Sequence, residues 1–183
     1  MKRKIFIGIG AFLVLIVGVM AYLNNRNRTL SPSGESSISN GDFNISVKYS
    51  RPSVKGRVIF GTEAEGALQP YGVYWRLGAN EATEIIINKK VSVLDATLEA
   101  GTYTVYAIPG KENFEIFFNT DLGKWGYFEP DNSRDVESIT VPSEQGEYVE
   151  QFTIDFENQG TTTNMNCMFG TTHFAIPFTP ENN

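Results

Sequence analysis

A single cysteine, Cys167, and a single histidine, His173, leave this chain short of the residues from which most catalytic and metal sites are built. One cysteine excludes an intramolecular disulfide and a thiolate zinc site. Zinc held by His173 and carboxylates alone would be uncommon chemistry for that metal. A Ser-His-Asp triad would have to use His173, and no Gly-x-Ser-x-Gly turn is present to offer the serine. Both residues lie in strand-like stretches. Asn164-Met165-Asn166-Cys167-Met168-Phe169 suits a small buried residue at Cys167. In Thr172-His173-Phe174-Ala175-Ile176-Pro177, Phe174 and Ile176 face a core and His173 the other side. The expectation is no catalytic residue, no metal and no cofactor.

Acidic residues are missing from the first 28 positions, which carry Lys2, Arg3, Lys4, Arg26 and Arg28. The remainder therefore holds ten basic against twenty-one acidic residues, a net of −11. A domain so charged repels phosphate backbones, which argues against nucleic acid as a partner. The same total predicts repulsion from an anionic membrane surface. Its plainest use is to keep the domain soluble.

What the N-terminus has instead is Ile5 to Leu23, IFIGIGAFLVLIVGVMAYL, nineteen residues without a charge. As an α-helix it spans roughly 28 Å, about the thickness of a bilayer's hydrocarbon core. The three preceding cations favour a cytoplasmic N-terminus and a translocated C-terminus. Val19-Met20-Ala21 would suit a signal-peptide cleavage site, but the run exceeds the usual length of a signal h-region. Residues 1–23 are therefore read as a transmembrane signal-anchor, with export of the domain if the segment is cleaved. Arg26 and Arg28 weigh against this topology by placing positive charge on the outer flank.

Residues 24–41, NNRNRTLSPSGESSISNG, are polar, rich in Ser and Asn, and without period, which predicts a flexible linker. No helical period persists after residue 41. Asn44–Tyr49 and Glu150–Phe156 alternate with period two, the latter placing Phe152, Ile154 and Phe156 on one face. Thr102–Ile108 and Phe114–Phe118 flank a hairpin loop, Pro109-Gly110-Lys111-Glu112-Asn113. Further strands are predicted at Arg57–Phe60, Thr83–Asn88, Val136–Val141, Thr163–Phe169 and Thr172–Phe178. The fold class is all-β: one antiparallel β-sandwich, or a flattened barrel, over residues 42–179, with a tail at 180–183.

Three segments carry a resemblance. They are YSRPSVKGRVIFG from Tyr49 to Gly61, PYGVYWRLGANEAT from Pro70 to Thr83, and a third from Ala100-Gly101-Thr102-Tyr103 to Gly123-Lys124-Trp125-Gly126. Together they resemble DUF2911, a domain family of unknown function found mainly in Bacteroidetes, with WRxGANEAT the most specific part. The resemblance implies an exported or envelope-associated β domain facing the periplasm, with no established activity. Family members typically end in a strand carrying a Trp and an acid. Here that region reads Met165-Asn166-Cys167-Met168-Phe169-Gly170.

The segment Trp75–Thr83 places an aromatic, a guanidinium, an amide and a carboxylate within seven residues: Trp75, Arg76, Asn80 and Glu81. Arg76 can pair bidentately with a carboxylate, and Trp75 offers a flat face to a sugar or a cation. Arg51, Lys55 and Trp125 belong to the other family-like segments and are joined to it as candidate ligand-binding residues. The competing reading makes Gly78 and Asn80 turn residues and pairs Arg76 with Glu81 internally. Three functions follow. The leading one is a membrane-anchored, non-catalytic binding or structural module with a glycan or protein ligand. The second is a carboxylate-based hydrolase of envelope glycans using two of Glu81, Glu84, Glu115 and Asp155. The third is a protein–protein scaffold acting through a sheet edge.

Overall fold

Residues 2–181 are described by a computed structural model of the chain. One helix, α1 (Lys2–Leu30), precedes twelve strands: β1 (Ser33–Asn40), β2 (Phe43–Ser50), β3 (Phe60–Gly61), β4 (Gln69–Pro70), β5 (Thr83–Ile87), β6 (Val91–Val93), β7 (Ala96–Leu98), β8 (Gly101–Pro109), β9 (Asn113–Asn119), β10 (Asp135–Pro142), β11 (Glu144–Gln159) and β12 (Thr162–Pro180). A six-stranded sheet runs β1-β2-β5-β8-β9-β10, and a four-stranded sheet β11-β12-β6-β7. All pairings within both are antiparallel. The short parallel pair β3–β4 stands apart. The result is the expected sandwich, with no closed barrel among the described residues.

Period-two patterning builds the core. Along β2, Phe43, Ile45, Val47 and Tyr49 are buried and the residues between them face outward. Phe114, Ile116 and Phe118 of β9 and Phe152 and Ile154 of β11 do the same from the two sheets. β12 is one continuous strand over both stretches expected as separate, and Phe174 and Ile176 face inward as the alternation predicts. Cys167 is fully buried on the same strand, and burial pushes its thiol pKa up, as for an inert structural residue. His173 is bonded through Nε2 to the Glu147 carbonyl oxygen at 2.8 Å across the β11–β12 ladder.

The segment expected to be a flexible linker, 24–41, is instead structured. Helix α1 continues through it to Leu30, and Ser33–Asn40 forms β1, paired along its whole length with β2. Only Ser31 and Pro32 separate helix from strand. The Ser31 N–H donates to the Asn27 carbonyl, and the Arg51 N–H to the Pro32 carbonyl, so the backbone is held through the turn. The domain thus begins before residue 42. At the other end Pro180 closes β12 and the Glu181 N–H donates to Lys90, leaving residues 182–183 of the expected tail outside the described residues.

Helix α1 has the length and apolar composition of a membrane span over Phe6–Leu30, a test that signal sequences also pass. The domain leaves its apolar residues uncovered, among them Phe6, Phe12, Leu15 and Val17. Two of the four edges of the main sheets, β11 and β10, are defended. β11 carries Glu144, Glu147, Glu150, Asp155 and Glu157 and two breaks of register, and β10 has a break at Asp135/Glu137 and ends in Pro142. Charges, bulges and proline of this kind discourage strand addition, which counts against scaffolding through these two edges.

Candidate functional site

Trp75 is not a platform for a ligand. It is 1% exposed, bridged to Ala107 of β8, and surrounded edge-on by Phe60, Phe114, Phe152 and Phe174 at 5.0–6.5 Å between ring centroids. Its indole N–H donates to the Gly78 carbonyl at 3.3 Å. The residues after it form a tight loop in which Leu77 and Asn80 adopt positive φ of 51° and 56°. Gly78 sits at φ +151°, where a Cβ would lie 2.8 Å from the Ser50 carbonyl oxygen, so only glycine fits. Thr83 closes the loop by donating its hydroxyl to the Leu77 carbonyl at 2.7 Å.

Two of the motif's three polar candidates, Asn80 and Glu81, hold the helix. Asn80 is buried, and its amide donates to the Ser31 carbonyl at 3.0 Å and to the Asn27 carbonyl at 3.4 Å. The Ser31 carbonyl lies just past the end of α1, where no helical N–H reaches it, whereas that of Asn27 already accepts the Ser31 N–H. Glu81 pairs with Arg28, in the last turn of the same helix. The expected Arg76–Glu81 pair does not form. Arg76 instead reaches the Asn80 carbonyl at 3.4 Å, and burial pulls its guanidinium pKa down.

Of the remaining sequence candidates, Arg51 is committed internally. It donates through Nε to the Phe152 carbonyl at 3.3 Å and through Nη2 to Thr153 Oγ1 at 3.2 Å, tying the two sheets. Lys55, Arg76, Asn80 and Trp125 come together around a cleft of about 420 Å³, while Glu81 lines a different one. The cleft has a further cation that the sequence reading passed over, Arg57. Its signal was in plain view: Lys55-Gly56-Arg57 is a turn, with Lys55 and Gly56 at positive φ and both side chains exposed. No acidic residue lines this cleft. Beside it, Glu150 accepts the Tyr148 hydroxyl and the Lys55 backbone N–H at 3.0 Å, bonds that, with the charges of Lys55 and Arg57, hold its pKa down.

A family model described as "Protein of unknown function (DUF2911)" matches residues 31–178. The chain belongs to the DUF2911 family. No curated protein and no solved structure matches it. The match starts at Ser31, so the DUF2911 domain takes in β1 as well as the strands that follow.

Within the DUF2911 domain the acids proposed for hydrolysis are dispersed. Glu115 and Asp155 are exposed on different sheets, Asp155 bonded to Asn166. Glu81 and Glu84 do share a cleft of about 460 Å³, interleaved with Arg28, Lys48 and Lys124. Both are engaged there, Glu81 by Arg28 and Glu84 by the Gly123 N–H at 2.7 Å. On the outer face of the large sheet, the buried Asn119 amide donates to Asp135 at 2.7 Å and to the Asp131 carbonyl at 2.9 Å. Tyr106 donates to the same Asp135 carboxylate at 2.8 Å. That network secures the 119–135 connection. No group of three or more His, Cys, Asp or Glu among the described residues has the arrangement of a metal site.

Proposed function

We propose that this chain is a non-catalytic envelope module, held in the bilayer by α1 and presenting its DUF2911 sandwich on the far side from the cytoplasm. Lys2, Arg3 and Lys4 keep the N-terminus inside, and the binding face is the cation-lined cleft beside the helix exit. The observation that carries the reading is the junction: Asn80 and Glu81, in the most specific motif of the family resemblance, bind the end of α1 rather than a free ligand. A helix destined for removal has no need of such a socket. It also explains Arg28 on the outer flank, since that charge is consumed by Glu81.

The test is fractionation of cells expressing the intact chain, with carbonate extraction, mass spectrometry of the N-terminus, and protease added to spheroplasts. The expected result is an uncleaved chain that stays with the membrane and whose domain is digested from outside. A mature protein beginning after Ala21, or a domain protected in intact spheroplasts, overturns the proposal.

A further inference from the structure

Three cations, Lys55, Arg57 and Arg76, line one cleft in a domain whose net charge is −11, and that cleft has no acidic lining residue. None of the three forms an ion pair with another described residue. Arg57 donates to the Val54 carbonyl at 3.0 Å and the Ser53 carbonyl at 2.6 Å, and Arg76 to the Asn80 carbonyl at 3.4 Å. Carbonyl partners orient a guanidinium without neutralising it. Glu150, beside the cleft, accepts the Lys55 backbone N–H and offsets part of the charge of Lys55 and Arg57, which leaves three cations against one carboxylate and a lining that suits an anion.

Its position names the anion. Asn27 and Leu30, in the last turn of α1, form part of the cleft wall. The uncharged run ends at Leu23, so at 1.5 Å per residue these two stand roughly 6 and 10 Å beyond it. The headgroup layer is about 5–7 Å thick on each side of a bilayer. The cleft wall thus runs from the depth of the lipid headgroups, at Asn27, to just outside them, at Leu30. The same rim carries aromatics: Trp125 and Tyr127 line the cleft, and Tyr127 and Phe128 are 71% and 70% exposed, packed edge-to-face at 5.2 Å. Large amphipathic aromatics left in the open beside a helix exit match the aromatic belt found at membrane interfaces.

We infer that the Lys55–Arg57–Arg76 cleft binds the phosphate of an anionic phospholipid in the membrane that holds α1, with Tyr127 and Phe128 entering the interface beside it. This rests on the anchoring proposed above. It also runs against the repulsion expected from the domain's total charge. The resolution is distribution: screening confines charge effects to about 8–10 Å at physiological salt, and at the helix exit the local excess is positive. Each cation near an anionic surface contributes about a fivefold preference, so the set favours anionic over zwitterionic lipid by roughly a hundredfold.

Trp125 is the natural probe, because the only other tryptophan, Trp75, is enclosed in the core. The full chain is placed in nanodiscs of phosphatidylcholine with either brominated phosphatidylglycerol or brominated phosphatidylcholine as quencher. Wild type is expected to enter both discs and to be quenched preferentially by the brominated anionic lipid, with the preference lost in high salt. The double variant Lys55→Gln/Arg57→Gln, both exposed positions, should enter the discs, melt only a few degrees lower for the lost Arg57–carbonyl bonds, and lose preference by roughly 25-fold. Lys55→Gln alone provides the same comparison at about fivefold if the double variant misfolds. Equal quenching by both lipids, or a preference unchanged in the variants, overturns the headgroup site while leaving the anchoring intact. Competition by soluble glycerol phosphate matching that of the lipid overturns the lipid as source. A chain that enters neither disc overturns the anchoring, and the headgroup site with it.

Discussion

Replacing Asn80 by alanine removes two donors from the end of α1 and forces a Cβ-bearing residue without a compensating side chain to hold φ of 56°. The bond to Ser31 at 3.0 Å is of ordinary length and is worth about 0.5–1.5 kcal/mol net. The one to Asn27 at 3.4 Å lies beyond the usual range and adds little. The left-handed backbone costs alanine about 1 kcal/mol, a cost that asparagine largely avoids. The total for Asn80→Ala is about 2 kcal/mol. Asn80→Gly loses the bonds but keeps the backbone at ease, for about 1 kcal/mol. For a domain of this size, 1 kcal/mol moves the melting temperature by about 2–4 °C, so the two variants should fall by about 4–8 °C and 2–4 °C. The assay is a thermal melt of the full chain in detergent, followed by limited trypsin digestion at Arg26 and Arg28. Loss of the socket should raise cleavage at the junction about fivefold per kcal/mol. If Asn80→Ala melts with the wild type and the junction is cut no faster, Asn80 does not hold the helix. If glycine costs as much as alanine, the backbone part of the account is wrong.

Trp75→Ala should cost about 3–5 kcal/mol in urea denaturation, and Trp75→Phe clearly less, because the site is a closed aromatic cluster. A near-neutral alanine variant would return Trp75 to the surface. Burial pushes the Tyr74 hydroxyl pKa up to about 12, so the unfolded chain ionises first: stability is intact below about pH 10 and falls as pH rises towards 12. Spectrophotometric titration should show a late-ionising class of tyrosines, and coincident titration of all eight near pH 10 would contradict it. Cys167 should react with a thiol reagent only in denaturant, and rapid labelling of the native chain would show that β12 opens.

The strands that bury a face were legible in the sequence and those that do not were hidden. Phe43 to Tyr49 and Phe152 to Phe156 announce themselves by alternation, because one face of each meets the core. β1 reads SGESSISN and has only Ile38 packed against the core, so its extended form comes from pairing with β2 rather than from its own residues. Asn24–Leu30 is helical for a similar reason: it continues a long helix and is caught at its end by Asn80 and Glu81. The β6–β7 hairpin turns at Leu94, whose φ of 55° nothing in a leucine advertises. At the candidate site an alternation-free loop carries no signal for which side of it faces in. Trp75 therefore looked as much like a ligand platform as a core residue, and Arg57 was passed over as an ordinary strand residue.

The two-residue passage from α1 into β1 has a mechanical meaning. A tether of eighteen flexible residues would let the sandwich sweep a hemisphere roughly 23 Å in radius and meet soluble partners from any side. A helix gripped by its own domain behaves as a rigid mast. Once α1 stands in a bilayer, the domain can only drift laterally and spin about the membrane normal, with one flank always turned to the lipid. Its encounters become two-dimensional, and much of the rotational freedom that association normally sacrifices has already been given up. With α1 anchored as proposed, any molecule that meets this domain must be in the membrane or come to it.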